Sequence, residues 1–102
     1  MGKDLAFSAL LDVYGRFLSQ KQKSLTEHYY NEDLSLSEIA ENEGITRQGV
    51  NDLIRRAVIQ LNEFEEKCGY CQKFSKLKEL SHEIKSGNRE KINDIIDLID
   101  EL

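Results

Sequence analysis

Between Thr46 and Arg56 the chain gathers Arg47, Gln48, Asn51, Arg55 and Arg56 within a few helical turns, and side chains of these types can read nucleic acid. Arginine forks onto the two acceptors of guanine, glutamine or asparagine can pair its amide with adenine, and arginine near a helix end grips phosphate. Thr46 stands just before them, where its hydroxyl can cap a helix by accepting from a first-turn amide. Asp52 is out of character: it can pair with Arg56 four residues on and cancel part of that charge. A merely solvated helix face would use the same residue types, so the surrounding elements have to decide.

Other residues with chemical potential lead less far. Cys68 and Cys71 flank Gly69 as a C-x-x-C. A zinc site needs two further ligands, and a thioredoxin-type redox pair needs a strand-to-helix setting. Neither is found, so the cysteines read as thiols in a reducing compartment. His28 has no second ligand at metal spacing and reads as structural or exposed. His82 falls on a polar helix face, away from any pattern that would make a catalytic dyad. Paired carboxylates, a nucleophile with its base and a phosphate-cradling glycine loop are all missing. The reading is therefore not an enzyme, with no metal and no cofactor.

The elements that position Thr46 to Arg56 are legible upstream. Ser35 followed by Glu38 is a capping-box pair at a helix start, and Ile39 and Ala40 then face inward. Gly44 stops that helix, because glycine accepts the left-handed conformation of a helix end. Ile45 becomes a buried corner residue, and a long second helix from Arg47 carries Val50, Leu53, Ile54, Ala57, Val58, Leu61 and Phe64 on one stripe. This spacing is that of a helix-turn-helix. An αα-corner with no nucleic-acid role has the same geometry. Arg47, Gln48, Asn51, Asp52 and Arg55 fall on the outer side of the long helix, with Arg56 on its edge.

The rest of the chain supplies a scaffold. Leu5, Phe7, Leu10, Leu11, Tyr14, Phe17 and Leu18 recur at helical spacing and predict one amphipathic helix from Asp4 to Leu18, weakened slightly at Gly15. Ser19 caps a second helix that sends Leu25, Tyr29 and either His28 or Tyr30 inward, and residues 31–33 end it. Beyond Gly69, a helix from Gln72 to Lys85 has Phe74, Leu77, Leu80 or Ser81, and Ile84 as its seam, with Lys73, Lys76, Lys78 and Lys85 making it the most basic stretch. Asn88 can cap a last helix with Ile92, Ile95, Ile96, Ile99 and Leu102 on one face. So apolar a helix either folds back on its own domain or pairs with a second copy as a homodimer. The predicted organisation is a helix-turn-helix domain over 1–67, with its motif at 35–66, and a C-terminal helical extension over 68–102 for dimerisation or packing.

Length and charge set limits. The 102 residues hold no proline and no tryptophan, and 32% of them are charged, which suits one all-α domain. No apolar run approaches the roughly 20 residues that span a bilayer, and no secretory signal pattern opens the chain; the expected location is the cytoplasm, without membrane insertion. The net charge of −5 opposes nucleic-acid binding, which rests on neutralising phosphate. Residues 1–67 carry 8 basic and 12 acidic side chains, a net of −4, so a local patch must do the binding.

The run SLSEIAENEGITRQGVNDLIRRAVIQLNEFEEK resembles the DNA-binding helix-turn-helix of sigma factor region 4. Together with LLDVYGRFLSQKQKSLTEHYYNEDLSL before it, the sequence resembles the YlxM family of small bacterial proteins over about residues 4 to 80. The resemblance implies a cytoplasmic, sigma-region-4-like helical bundle. It also implies a regulatory part in the signal recognition particle pathway, whose GTPases Ffh and FtsY are encoded beside family members. Carried over by position, the reading helix would begin at Thr46 and use Arg47, Gln48, Asn51 and Arg55. Gly49 and Asn51 depart from the sigma pattern, where basic residues are common, and this removes charge that sigma-type promoter recognition uses. Two functions follow as expectations: a regulatory module binding DNA or the targeting-particle RNA, or a protein-interaction adaptor for Ffh or FtsY that binds no nucleic acid.

Overall fold

A computed structural model describes residues 6–102. The described residues form helices joined by short turns, with no strand among them, as the proline-free, charge-rich composition leads one to expect. No helix among them is long and apolar enough to cross a membrane. The chain divides into two compact units, residues 1–67 and residues 68–102.

The first unit begins with α1 (Ala6–Tyr14). Asp4 and Leu5, the expected start of this helix, lie outside the described residues. The predicted continuation to Leu18 is corrected: a 3-10 turn takes over at Gly15–Phe17, closed by the Leu18 amide donating to the Gly15 carbonyl at 3.1 Å. The tighter winding of a 3-10 turn brings Leu18 into the core while turning Phe17 outward, 62% exposed. Phe17 keeps only an edge of packing, its ring 5.7 Å from that of Phe64.

Ser19 starts α2 (Gln20–Tyr30) with a full capping box, its hydroxyl accepting from the Gln22 amide while the Gln22 side chain accepts from the Ser19 amide, both at 3.1 Å. Leu25 is wholly buried and Tyr29 and Tyr30 pack partly buried beside the core; removing a leucine side chain of this size from water is worth about 1.5–3 kcal/mol. Thr26, also wholly buried, satisfies its hydroxyl by donating to the Gln22 carbonyl at 2.6 Å. His28 lies partly exposed between Ser24 and the Glu32 carboxylate, both within its own helical neighbourhood. The helix ends through residues 31–33, with Asp33 at φ 58°, a conformation that a short polar side chain tolerates better than most.

Next come α3 (Leu36–Glu43) and α4 (Arg47–Cys68). Their inward residues Ile39, Ala40, Val50 and Ile54 close around Leu25, with Tyr29, Tyr30, Leu34, Leu36, Ile45, Leu53 and Val58 packed against the cluster. Further along α4, Ala57 and Leu61 are buried as their spacing predicts. Two polar ties fasten α4 to the scaffold helices: Tyr14 Oη donates to Glu65 Oε1 at 2.6 Å, and Gln22 Nε2 donates to Gln60 Oε1 at 2.9 Å.

The second unit is a helical hairpin. Gly69, at φ 65°, ends α4, and a new helix α5 (Tyr70–Lys85) starts at once, two residues earlier than the sequence suggests. Leu80 is its buried seam residue, flanked by partly buried Leu77, Ser81 and Ile84. The predicted cap by Asn88 is also corrected. Its side chain makes no capping bond; a 3-10 turn at Arg89–Lys91 intervenes, and α6 (Ile92–Asp100) follows from it. The close reversal after Gly87, at φ 105°, leaves that turn to set the helix start. Cys68 is exposed and Cys71 partly buried, and each keeps its thiol.

Candidate nucleic-acid interface

The corner between α3 and α4 is built from short-range bonds. Ser35 Oγ accepts from the Glu38 amide at 3.0 Å, and Glu38 Oε1 accepts from the Ser35 amide at 3.1 Å. At the other end of α3, Gly44 takes φ 67° and ψ 30°, and the Ala40 carbonyl receives the amides of both Gly44 and Ile45, the latter at 3.1 Å. A left-handed glycine with these returning bonds ends a helix and satisfies its last carbonyls. Two residues later Thr46 Oγ1 accepts from the Gly49 amide at 2.9 Å, which starts α4 in a new direction. A Cβ at Gly49 would stand 3.2 Å from that same hydroxyl oxygen, so the smallest residue sits where the cap needs room.

This corner determines how the residues expected to read nucleic acid are presented. Arg47 and Gln48, in the first turn of α4, are exposed; Asn51 is partly buried; Arg55 and Arg56 are exposed. A shallow groove of about 360 Å³ is lined by Leu36, Arg47, Gln48 and Asn51. A second, of about 270 Å³, runs on from it past Asn51 and Arg55, over Tyr29, Tyr30, Leu36, Ile54, Val58 and Ile59. Leu36 and Asn51 border both. Thr46 is exposed, and although its oxygen is engaged by the cap, its hydroxyl proton can still donate. Arg56 lines neither groove; at 100° per residue it projects well round the helix from Arg55.

Asp52 does not form the expected ion pair with Arg56. Its carboxylate instead accepts from Gln48 Nε2 at 3.4 Å, since Gln48 lies one turn back on the same face. Gln48 is thereby oriented along the helix, and Asp52 is turned away from the guanidinium of Arg56. The resulting surface offers donors in fork geometry at Arg47 and Arg55, and amide donor and acceptor pairs at Gln48 and Asn51. Such a set suits base edges and phosphates, and it also suits carboxylates.

Sequence reasoning missed the groove wall. Tyr29, Tyr30 and Leu36 come from α2 and α3 and join α4 only through tertiary packing. Ile59 was detectable, because it stands four residues after Arg55 and off the core stripe; it is 51% exposed. Among the described residues no three histidine, cysteine, aspartate or glutamate side chains cluster closely enough to hold a metal ion.

A capped helix, a glycine corner and a second capped helix with its polar side outward define a helix-turn-helix protein. Across residues 1–102 the sequence matches the family described as "Putative helix-turn-helix protein, YlxM / p13 like", and the chain belongs to that family. Among its relatives, a UPF0122 protein of Thermoanaerobacter sp. (strain X514) is 39% identical over 108 residues, covering 100% of this chain and 92% of its own. One from Shouchella clausii is 39% identical over 107 residues, covering 100% and 98%. One from Desulforamulus reducens reaches 50% identity over 66 residues, 65% of this chain and 56% of that protein.

Proposed function

We propose that this protein is a cytoplasmic, non-enzymatic regulator that binds nucleic acid through the leading turns of α4, using Arg47, Gln48, Asn51 and Arg55 for bases and Thr46 and Arg56 for phosphate. The observation that supports the reading is the exposure of that polar set directly after a capped corner. Its target is DNA or the RNA of the signal recognition particle, and the pathway it serves is protein targeting, a role that the family resemblance suggests. The experiment is a titration of the full chain against labelled targeting-particle RNA and genomic DNA fragments at low and physiological salt. Salt-sensitive binding to one of them is expected, weakened in Arg55→Ala by about 1–3 kcal/mol if that arginine meets a base edge and with helicity unchanged. Equal binding by variant and parent would rule out the assigned face.

A second reading is favoured by one observation, the net charge of −5. In it the same fold is a protein adaptor, with Ffh and FtsY as first partners, and the arginines meet acidic side chains. Failure of both nucleic acids to bind at low salt, where phosphate contacts are strongest, would select it.

A further inference from the structure

The C-terminal hairpin leaves an unusual amount of apolar surface uncovered. Tyr70 and Phe74 on α5 and Ile92, Ile96, Ile99 and Leu102 at the other end of the hairpin are between 37% and 52% exposed. Helical spacing aligns them. Tyr70 and Phe74 fall in line with Ser81 and Lys85, which with Leu77, Lys78 and His82 form one wall of a groove of about 480 Å³ whose other wall is Ile95 of α6. Ile92 and Ile99 stand three residues before and four residues after Ile95, and Ile96 stands four after Ile92 and three before Ile99, so they share one side of α6. Ridge and groove therefore share one face of the hairpin.

The two borders of that face differ in sign. Lys78 and Lys85 edge it along α5, while Asp100, four residues after Ile96, edges it along α6. None of these three side chains forms an ion pair among the described residues, whereas Lys76 and Lys91 are each held by a neighbouring carboxylate. The surface is thus an apolar stripe with an unpaired positive edge and an unpaired negative edge.

We propose that two copies of the chain pair through this face, about a two-fold axis running along the hairpins, so that α5 of each copy lies over α6 of the other. A partner helix of a single charge sign would satisfy one edge and oppose the other. A second copy turned about that axis satisfies both, bringing lysine edge to aspartate edge twice over, as an isologous contact requires. A two-fold axis across the hairpins would set α5 on α5 and like charges together. In the arrangement favoured by charge, Ile96 and Ile99 of one copy enter the groove between Leu77 and Ile95 of the other, and the four helices close an apolar core.

Sedimentation equilibrium of the full chain tests this without any nucleic acid, so its outcome is independent of the function proposed above. The parent is expected to be dimeric at micromolar concentration, and Ile96→Glu monomeric with unchanged circular dichroism. Lys78→Glu with Lys85→Glu in one variant, and Asp100→Lys in another, should each dimerise at least about tenfold more weakly than the parent. An equimolar mixture of these two variants should regain a heterodimer, because both edges then meet opposite charge. A parent that stays monomeric, charge-reversed variants that pair as tightly as the parent, or a mixture that fails to associate would each overturn the proposal.

Discussion

Arg55 and Arg56 are sequence neighbours with different surroundings, and the difference predicts different behaviour. Arg55 borders the groove beside Asn51 and Tyr30, where a base edge or a carboxylate could lodge, whereas Arg56 faces open solvent. Substituting Arg56 with alanine is expected to weaken nucleic-acid binding evenly across sequences and to reduce the salt slope by about 1. Arg55→Ala should instead alter which sequence is preferred. Binding measured on two competing sequences over a salt series separates these effects. Both arginines were readable from the sequence, because helical spacing alone puts them outside the apolar stripe. The direction of Gln48 was not, since its bond to Asp52 competes with the Asp52–Arg56 pair that the same spacing permits.

At the level of elements, the helix ends are held by individual residues and can be tested one at a time. Ser35→Ala removes the hydroxyl that receives the Glu38 amide, which should cost about 1 kcal/mol. Gly44→Ala forces a Cβ into left-handed backbone, at about 1–2 kcal/mol; nothing crowds the added carbon, so the loss should be conformational. Urea unfolding monitored by circular dichroism reads both, and a midpoint unmoved in Gly44→Ala would mean that the corner does not depend on this glycine. These caps were legible because each depends on residues within five positions of one another. The 3-10 turns at Gly15–Phe17 and Arg89–Lys91 were not, because periodicity does not distinguish a tightened turn from a continuing helix; what pulls Leu18 inward is the core it joins. The groove over Tyr29, Tyr30 and Leu36 was hidden for the same reason, as three helices must meet to form it.

For the whole molecule, acidic balance constrains how it can bind a polyanion. Only Arg47, Arg55 and Arg56 bring positive charge to the leading turns of α4, so the dependence of log K on log salt should be no steeper than about −3 for duplex DNA, at roughly −0.9 per phosphate neutralised. A much steeper slope, read from the same titrations, would require basic residues outside the leading turns of α4 to join the contact.

The bond from Tyr14 to Glu65 spans 51 positions of sequence, and this separation has a kinetic consequence. As the chain is synthesised, α2, α3 and the first half of α4 can gather around Leu25 while Glu65 has yet to emerge; α1 can already meet α2, with Ser8 Oγ donating to Asn31 Oδ1 at 2.8 Å and the Phe7 ring 5.2 Å from that of Tyr30, but its Tyr14 tie waits for Glu65. The tie at the end of α1 is thus among the last to form, and it should be absent when the folding barrier is crossed. Tyr14→Phe is accordingly expected to quicken unfolding while leaving refolding nearly unchanged, a division that stopped-flow measurements in urea would reveal. Helix α1 would then be anchored in two stages, first against α2 and later, through Tyr14, to the far turns of α4.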